Sequence, residues 1–263
     1  MTVKEKINGR QLAIIAAYLT LGDSMLILPP IPVHEAKKNA WISSLLGLAA
    51  GLLVILLLCA VGKLYPLLTM VEIQEKLFGK WLGIAVSLFF LFYLFSSVSA
   101  HVREIGNFMT TQMLPETPLL ALLILYGGII VLAVRFAARN LYATFAMAKK
   151  IDIGQFLQRI EVILAFMWLL TTYFKTAIYF YAFHVAFAQV FRLRDYKGLT
   201  LPFGMLMVFY AIIVSPNVVH INNFVTFWPY FDFTFSVVVP LLLLAAYAVR
   251  RGFAGNKGES GHG

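Results

Sequence analysis

The sequence predicts an all-α membrane protein, a polytopic helix bundle of about seven spans, and three observations predict it. Between Trp41 and Gly62, and again between Trp81 and Ser99, the chain carries no charged residue. Each run is close to the roughly 20 apolar residues that cross about 30 Å of hydrocarbon. Hydrophobic residues make up 61% of the 263-residue chain and charged residues 13%, half the usual charged share of a soluble domain. The apolar runs are continuous, unlike the roughly 10-residue alternating segments of a membrane barrel. Helices, which satisfy their backbone hydrogen bonds within the segment, are therefore the expected form.

The spans fall near 11–31, 40–62, 81–108, 118–136, 156–190, 199–217 and 231–250. In the first, Leu21-Gly22-Asp23-Ser24 precedes Pro29-Pro30, a combination that favours an unwound stretch late in the helix. The second carries Gly47-x3-Gly51, and Gly79-x3-Gly83 opens the third; small residues at that spacing allow close backbone approach. Between these two spans, 63–80 alternates polar and apolar positions at helical spacing and reads as a short helix on the membrane surface. The third span is long enough to require tilt or protrusion. The Gly-rich tail 252–263 reads as disordered, leaving 1–251 as a single membrane domain. Cys59 is the only cysteine, so no intramolecular disulfide is possible. The run from Ile7 to Ile31 is too long for the apolar core of a cleavable signal, and no small-residue cleavage site follows it.

The net charge of +9 comes from Lys and Arg beside the spans, where anionic headgroups lie, rather than from a nucleic-acid patch. Basic residues mark cytoplasmic loops. Lys4, Lys6 and Arg10 place the N-terminus inside, Lys63, Lys76 and Lys80 follow the second span, and Arg135 and Arg139 follow the fourth. Only Lys37 and Lys38 dissent in this half. Counting onward, Arg192, Arg194, Lys197, Arg250, Arg251 and Lys257 all fall outside. Inverting the C-terminal half repairs every one of them. The two halves obey the rule with opposite parity, as if an odd number of spans were missing between about 140 and 155.

Residues able to carry chemistry are few. Unwound backbone near Gly22, Asp23 and Ser24 would aim peptide groups at a small zwitterion; the alternative is a Pro-terminated helix with Asp23 reaching an interface. Ser96, Ser97 and Ser99 cluster near mid-membrane and suit either ligand hydrogen bonds or close packing. Arg103 and Glu104 read as a structural pair, an interfacial anchor or a functional charge. Thr171, Lys175 and Tyr179 share one helical face at four-residue spacing. Lys175 there fits a cation site, a counter-charge for Asp23 or a snorkelling side chain, and His184 reads as structural. No Cys/His cluster has metal spacing, no Gly-rich phosphate loop is present, and no Gly-x-Ser-x-Gly occurs, so neither an enzyme nor a cofactor is expected.

Six stretches in order carry a family resemblance: Leu21-Gly22-x3-Leu26-x-Leu28-Pro29, Asn39-Ala40-Trp41-Ile42-Ser43, Gly79-Lys80-Trp81-Leu82-Gly83, Arg103-Glu104, Leu114-Pro115-Glu116-Thr117-Pro118 and Phe156-x2-Arg159-x-Glu161. Across residues 8–251 the chain resembles the GerAB-type spore germination permeases, B subunits of nutrient germinant receptors in the amino acid–polyamine–organocation transporter superfamily. The resemblance implies a LeuT-like fold of ten helices in two inverted repeats, with the germinant, commonly an amino acid, held between helices 1, 3, 6 and 8. It also implies a spore inner-membrane location and A-type and C-type partner subunits. Residues 1–136 correspond to family helices 1–4 and 151–250 to helices 8–10; the equivalents of helices 5–7 are absent, with a junction near 139–148. Carried over, Gly22, Asp23 and Ser24 would offer backbone groups, Ser97 and Val98 a pocket wall, and Thr171 and Lys175 the facing helix. Ser24 stands where many members have a second glycine. An amino-acid permease and a deletion product or scaffold that binds nothing are the alternatives.

Overall fold

A computed structural model describes residues 8–26, 36–137, 160–193, 196–214 and 227–259, and these are helical with short turns between. We number the helices α1 (Gly9–Leu26), α2 (Ala40–Leu64), α3 (Met70–Phe78), α4 (Lys80–Phe108), α5 (Leu119–Ala137), α6 (Ile160–Val190), α7 (Thr200–Val214) and α8 (Val239–Glu259). Helical residues 227–233 and a π-helical turn, Thr234–Val238, lead directly into α8. Among the described residues, three stretches are long and apolar enough to cross a membrane, Lys37–Leu64, Lys80–Thr111 and Phe227–Arg250, and Leu119–Leu132 and Thr200–Val214 are shorter apolar helices. The chain is an all-α membrane helix bundle.

Local chemistry sets the helix ends. At the start of α3, Thr69 and Glu72 form a reciprocal capping box, with Glu72 Oε2 accepting from the Thr69 amide at 2.8 Å, so two donors at the helix start are satisfied. Gly79, at φ +84°, turns the chain from α3 into α4 in a conformation other residues rarely adopt. The π turn before α8 has a clear cause in Pro240. Proline has no N–H to give the carbonyl four residues earlier, and the Val239 amide instead bonds Thr234 O, five residues back.

α4 is the central helix. One apolar cluster joins Val98 and Val102 of α4 to Leu123 and Ile130 of α5, Phe180 of α6 and Met207 of α7. A second joins α3 and the end of α2 to the last helix through Val61, Ile73, Leu77, Phe235 and Leu243. Most of α2 is otherwise uncovered, with Leu45, Leu53 and Leu56 all exposed. The two glycine pairs consequently differ. A Cβ at Gly47 or Gly51 would meet nothing within 4 Å, whereas one at Gly83 would lie 2.6 Å from Glu75 Cα. Gly83 is a close-approach residue; Gly79 is a turn residue.

Ring contacts fix the helix directions. Phe108 meets Trp168 at 4.8 Å between centroids, His101 meets Tyr179 at 5.9 Å and Phe95 meets Phe183 at 5.3 Å. As α4 numbers fall, α6 numbers rise, so the two helices are antiparallel. Arg192, just beyond α6, accordingly reaches Glu75 of α3 at 3.8 Å. The last helix also runs antiparallel to α4, from Asp232 beside Tyr93 down to Tyr247 beside Tyr65. Arg192 and Arg250 therefore share the bundle end that carries Lys63, Lys76 and Lys80. This is the inverted arrangement of the second half that the charges require.

Two expectations are corrected. α1 winds without a break through Gly22, Asp23 and Ser24 to Leu26, so no unwound stretch opens at those residues. A lone Gly and short polar side chains lower helix propensity by only about 1 kcal/mol each, less than packing along α6 can offset. Pro29 and Pro30 lie outside the described residues. The tail is helical through Glu259 rather than disordered from Gly252, because propagating an established helix needs one pair of dihedrals per hydrogen bond, without a new nucleus.

Candidate functional site

α1 packs along α6, and α6 along α4. At mid-membrane, the α4 serines bond mainly to their own helix: Ser97 Oγ donates to Tyr93 O at 2.9 Å and Ser99 Oγ to Phe95 O at 3.0 Å. Such back-bonding satisfies a buried hydroxyl without a ligand. Ser96 reaches across instead, to the Tyr210 hydroxyl of α7 at 3.3 Å. His101 holds Ser97 O through Nδ1 and stacks on Tyr179 of α6. A serine, a histidine and a tyrosine from two helices thus meet in one buried layer.

The expected site residues are only partly brought together. Val98 is fully buried in the apolar cluster with Tyr173 and Phe180, which makes it a packing residue. Thr171 is buried and donates to Met167 O at 2.8 Å; Lys175 is half-buried on the same face. The Phe95–Phe183 pairing places Lys175 about 9 Å along the helix axis from the level of Ser97, and Thr171 about 15 Å. Of the Thr171–Lys175–Tyr179 stripe, Tyr179 is the member that reaches the serine layer. Gly22, Asp23 and Ser24 lie in the last two turns of α1, the helix beside α6. His184 sits among Phe180, Phe183 and Phe203, with Nδ1 on Phe180 O at 2.7 Å, a structural setting as expected.

Several groups escaped sequence reasoning. Arg103 is 4% exposed, and its Nε has no hydrogen-bond partner among the described residues; it is an interior cation rather than an interfacial anchor. Trp168 Nε1 and Thr172 Oγ1, four residues apart on the face toward α4, are likewise buried without partners. Spacing alone cannot reveal an unsatisfied donor. Gln74 of α3 and Ser87 of α4, both fully buried, bond at 2.6 Å, and Tyr93 donates to Asp232 at 2.6 Å. Asp232 was visible in the sequence as a carboxylate in an apolar run, which is a functional signal in a membrane.

Thr172 and Thr176 provide a test of the unpaired donors. Thr176 donates to Thr172 O at 2.7 Å, while the Thr172 hydroxyl is buried unpaired at a cost of about 1–3 kcal/mol. Thr172→Val should leave thermal stability unchanged or raised, and Thr176→Val should lower it. Equal losses in the two melting temperatures would contradict this assignment.

Among known proteins, the sequence model of the family described as "Spore germination protein" matches residues 6–135 and 124–219. The chain is 31% identical to Spore germination protein KB of Bacillus subtilis (strain 168) over 133 residues, 50% of this chain and 35% of that protein. It is 28% identical to Spore germination protein YndE of the same organism over 114 residues, covering 43% and 31% of the two chains. To Spore germination protein GerLB of Bacillus cereus it is 27% identical over 120 residues, covering 45% and 32%. The matched stretches thus span about a third of each relative's length. No solved structure matches.

Proposed function

The chain belongs to the spore germination protein family, and from that premise we propose that it is a B-type germinant-sensing subunit that binds a small nutrient, an amino acid, between α1, α4 and α6. The observation that carries this reading is the packing of α1 on α6 and of α6 on α4, the counterparts of family helices 1, 8 and 3. α1 supplies chemistry without any break in the helix: Asp23, between Gly22 and Ser24, carries a carboxylate, which suits an ammonium group. Arg103, buried with an unpartnered Nε, and Lys175 supply positive charge for a carboxylate. Thr171 and Ser97 shape the walls at successive depths, with Val98 packing behind them. No metal or cofactor enters this scheme.

Binding would bias one of two conformations, which a ligand can do only through differential affinity, and pass the change to A-type and C-type subunits in the spore inner membrane. The N-terminus is cytoplasmic in this reading, because the bundle end rich in Lys and Arg faces inward. We also read the chain as internally shortened by the equivalents of family helices 5–7. The family match in two segments supports this. So do the helix directions, which leave Ala137 and Ile160 at opposite ends of the bundle.

The test is a nutrient-dependent thermal shift of the purified full chain. At a ligand concentration 100 times Kd, stabilisation is about 2.7 kcal/mol, or roughly 5–10 °C for a chain of this size. If no amino acid in a complete panel moves the melting temperature, the binding claim fails.

A further inference from the structure

We propose that the α2–α3 turn and the first turn of α4 bind anionic phospholipid, with Leu67 and Trp81 seated among the upper acyl chains and Lys63 and Lys80 on the headgroup phosphates. Leu67 is 94% exposed and Trp81 86%, the two highest values among the large apolar side chains described. The outward-facing residues of the spans reach only 73%, at Ile213. Both side chains lie at the bundle end that carries the basic residues. Leu67 stands in the turn just beyond α2, and Trp81 follows Lys80 in the first turn of α4.

Depth selects lipid as the occupant. α2 and α4 belong to stretches long and apolar enough to cross the membrane, so their ends at Leu64 and Lys80 stand at the level of the headgroups. Tryptophan favours this boundary because its ring is apolar and its N–H polar, and leucine gains by leaving water. α3 cannot take that part itself. Its apolar residues Val71, Ile73 and Leu77 are buried against the bundle, so contact with the bilayer falls to the residues at its two flanks.

Charge selects an anionic headgroup. Lys63, Lys76, Lys80, Arg192 and Arg250 are exposed at this end. The carboxylates of α3 are engaged within the protein. Glu72 Oε2 accepts from the Thr69 amide at 2.8 Å and from the Thr69 hydroxyl at 3.0 Å, and Glu75 meets Arg192 at 3.8 Å. Lys76 lies over the Tyr65 ring at 3.9 Å, a contact that holds its ammonium beside the turn. Lys63 and Lys80 bracket α3, and an ammonium on a flexible stem suits a phosphate as a point charge.

The experiment measures which lipid the purified full chain retains, phosphatidylglycerol or phosphatidylcholine, by native mass spectrometry. The wild type should retain phosphatidylglycerol in preference. Lys63→Gln with Lys80→Gln should cut that preference about fivefold for each lysine removed, and Lys63→Arg with Lys80→Arg should keep it. Lys37→Gln with Lys38→Gln, at exposed positions beyond the other end of α2, should leave it unchanged. An equal loss in the two glutamine pairs overturns the site, as does a wild type without preference. Seating is read separately, in vesicles of phosphatidylcholine and phosphatidylglycerol brominated high on the acyl chains. In a Trp41→Phe background, which removes the exposed tryptophan of the opposite end, bromine should quench fluorescence that Trp81→Phe largely removes. Quenching unaltered by Trp81→Phe places Trp81 outside the lipid, where an acidic polypeptide would be the partner, and overturns the proposal. Neither readout involves a nutrient, so the result stands apart from the germinant-binding reading.

Discussion

Cysteines placed singly at Lys197 and at Lys63, in a Cys59→Ala background, should be labelled by a membrane-impermeant thiol reagent from the same side of the bilayer, and a cysteine at Glu116 from the other. The effect is all or none. Five helices counted consecutively from the N-terminus would put Lys197 on the side of Glu116. The structure puts it opposite, because α6 is antiparallel to α4 from Phe108–Trp168 through Phe95–Phe183, and Arg192 reaches Glu75. Removing Cys59 is required because it is a free, exposed thiol on α2. Joint labelling of the Lys197 and Glu116 positions would separate α6 from its observed partners and dissolve both the inverted second half and the α4–α6 layer.

This prediction marks what the sequence made legible. The positions of the helices follow from apolar runs that only a helix can carry through hydrocarbon, so α2, α4, α5 and α7 begin and end within a few residues of their expected bounds. The inverted second half was legible too, because Arg192, Lys197 and Arg250 record sidedness independently of packing. Depth along a helix was not. A four-residue stripe such as Thr171–Lys175–Tyr179 specifies a face, but not which turn of the facing helix it meets, and that register is set by ring contacts such as His101–Tyr179. The wound helix at Gly22 was unreadable for a similar reason. Local breakers compete with tertiary contacts that the one-dimensional pattern does not contain.

Buried polar pairs were the least legible. Gln74–Ser87 and Tyr93–Asp232 link residues 13 and 139 positions apart, and no periodicity connects them. Each ties α4 to another helix by a hydrogen bond where apolar packing alone gives little preference, since lipid tails are as apolar as the side chains they replace. Polar links of this kind set partner choice and register in α4, while the flanking clusters supply contact area.

The same reasoning gives the largest stability effect to a residue with no side chain. Gly83→Ala would place a methyl 2.6 Å from Glu75 Cα, 2.8 Å from Glu75 N and 2.9 Å from Gln74 O. All three are backbone atoms of α3 and cannot rotate away, so α3 and α4 must separate. Separation would also lengthen the Ser87–Gln74 bond one turn further on and loosen the cluster of Ile73 and Leu77 against Phe235. Overpacking costs about 1–3 kcal/mol where side chains can yield. With backbone on both sides the expected loss is about 3 kcal/mol or more, a fall of roughly 6–12 °C in melting temperature. Gly47→Ala is the matched control, since its Cβ meets nothing within 4 Å and alanine favours the helix by up to about 1 kcal/mol. It should melt at or above the wild-type temperature. If Gly83→Ala melts with Gly47→Ala, the two helices do not touch at this point, and the hairpin that anchors α4 beside the last helix is wrongly placed.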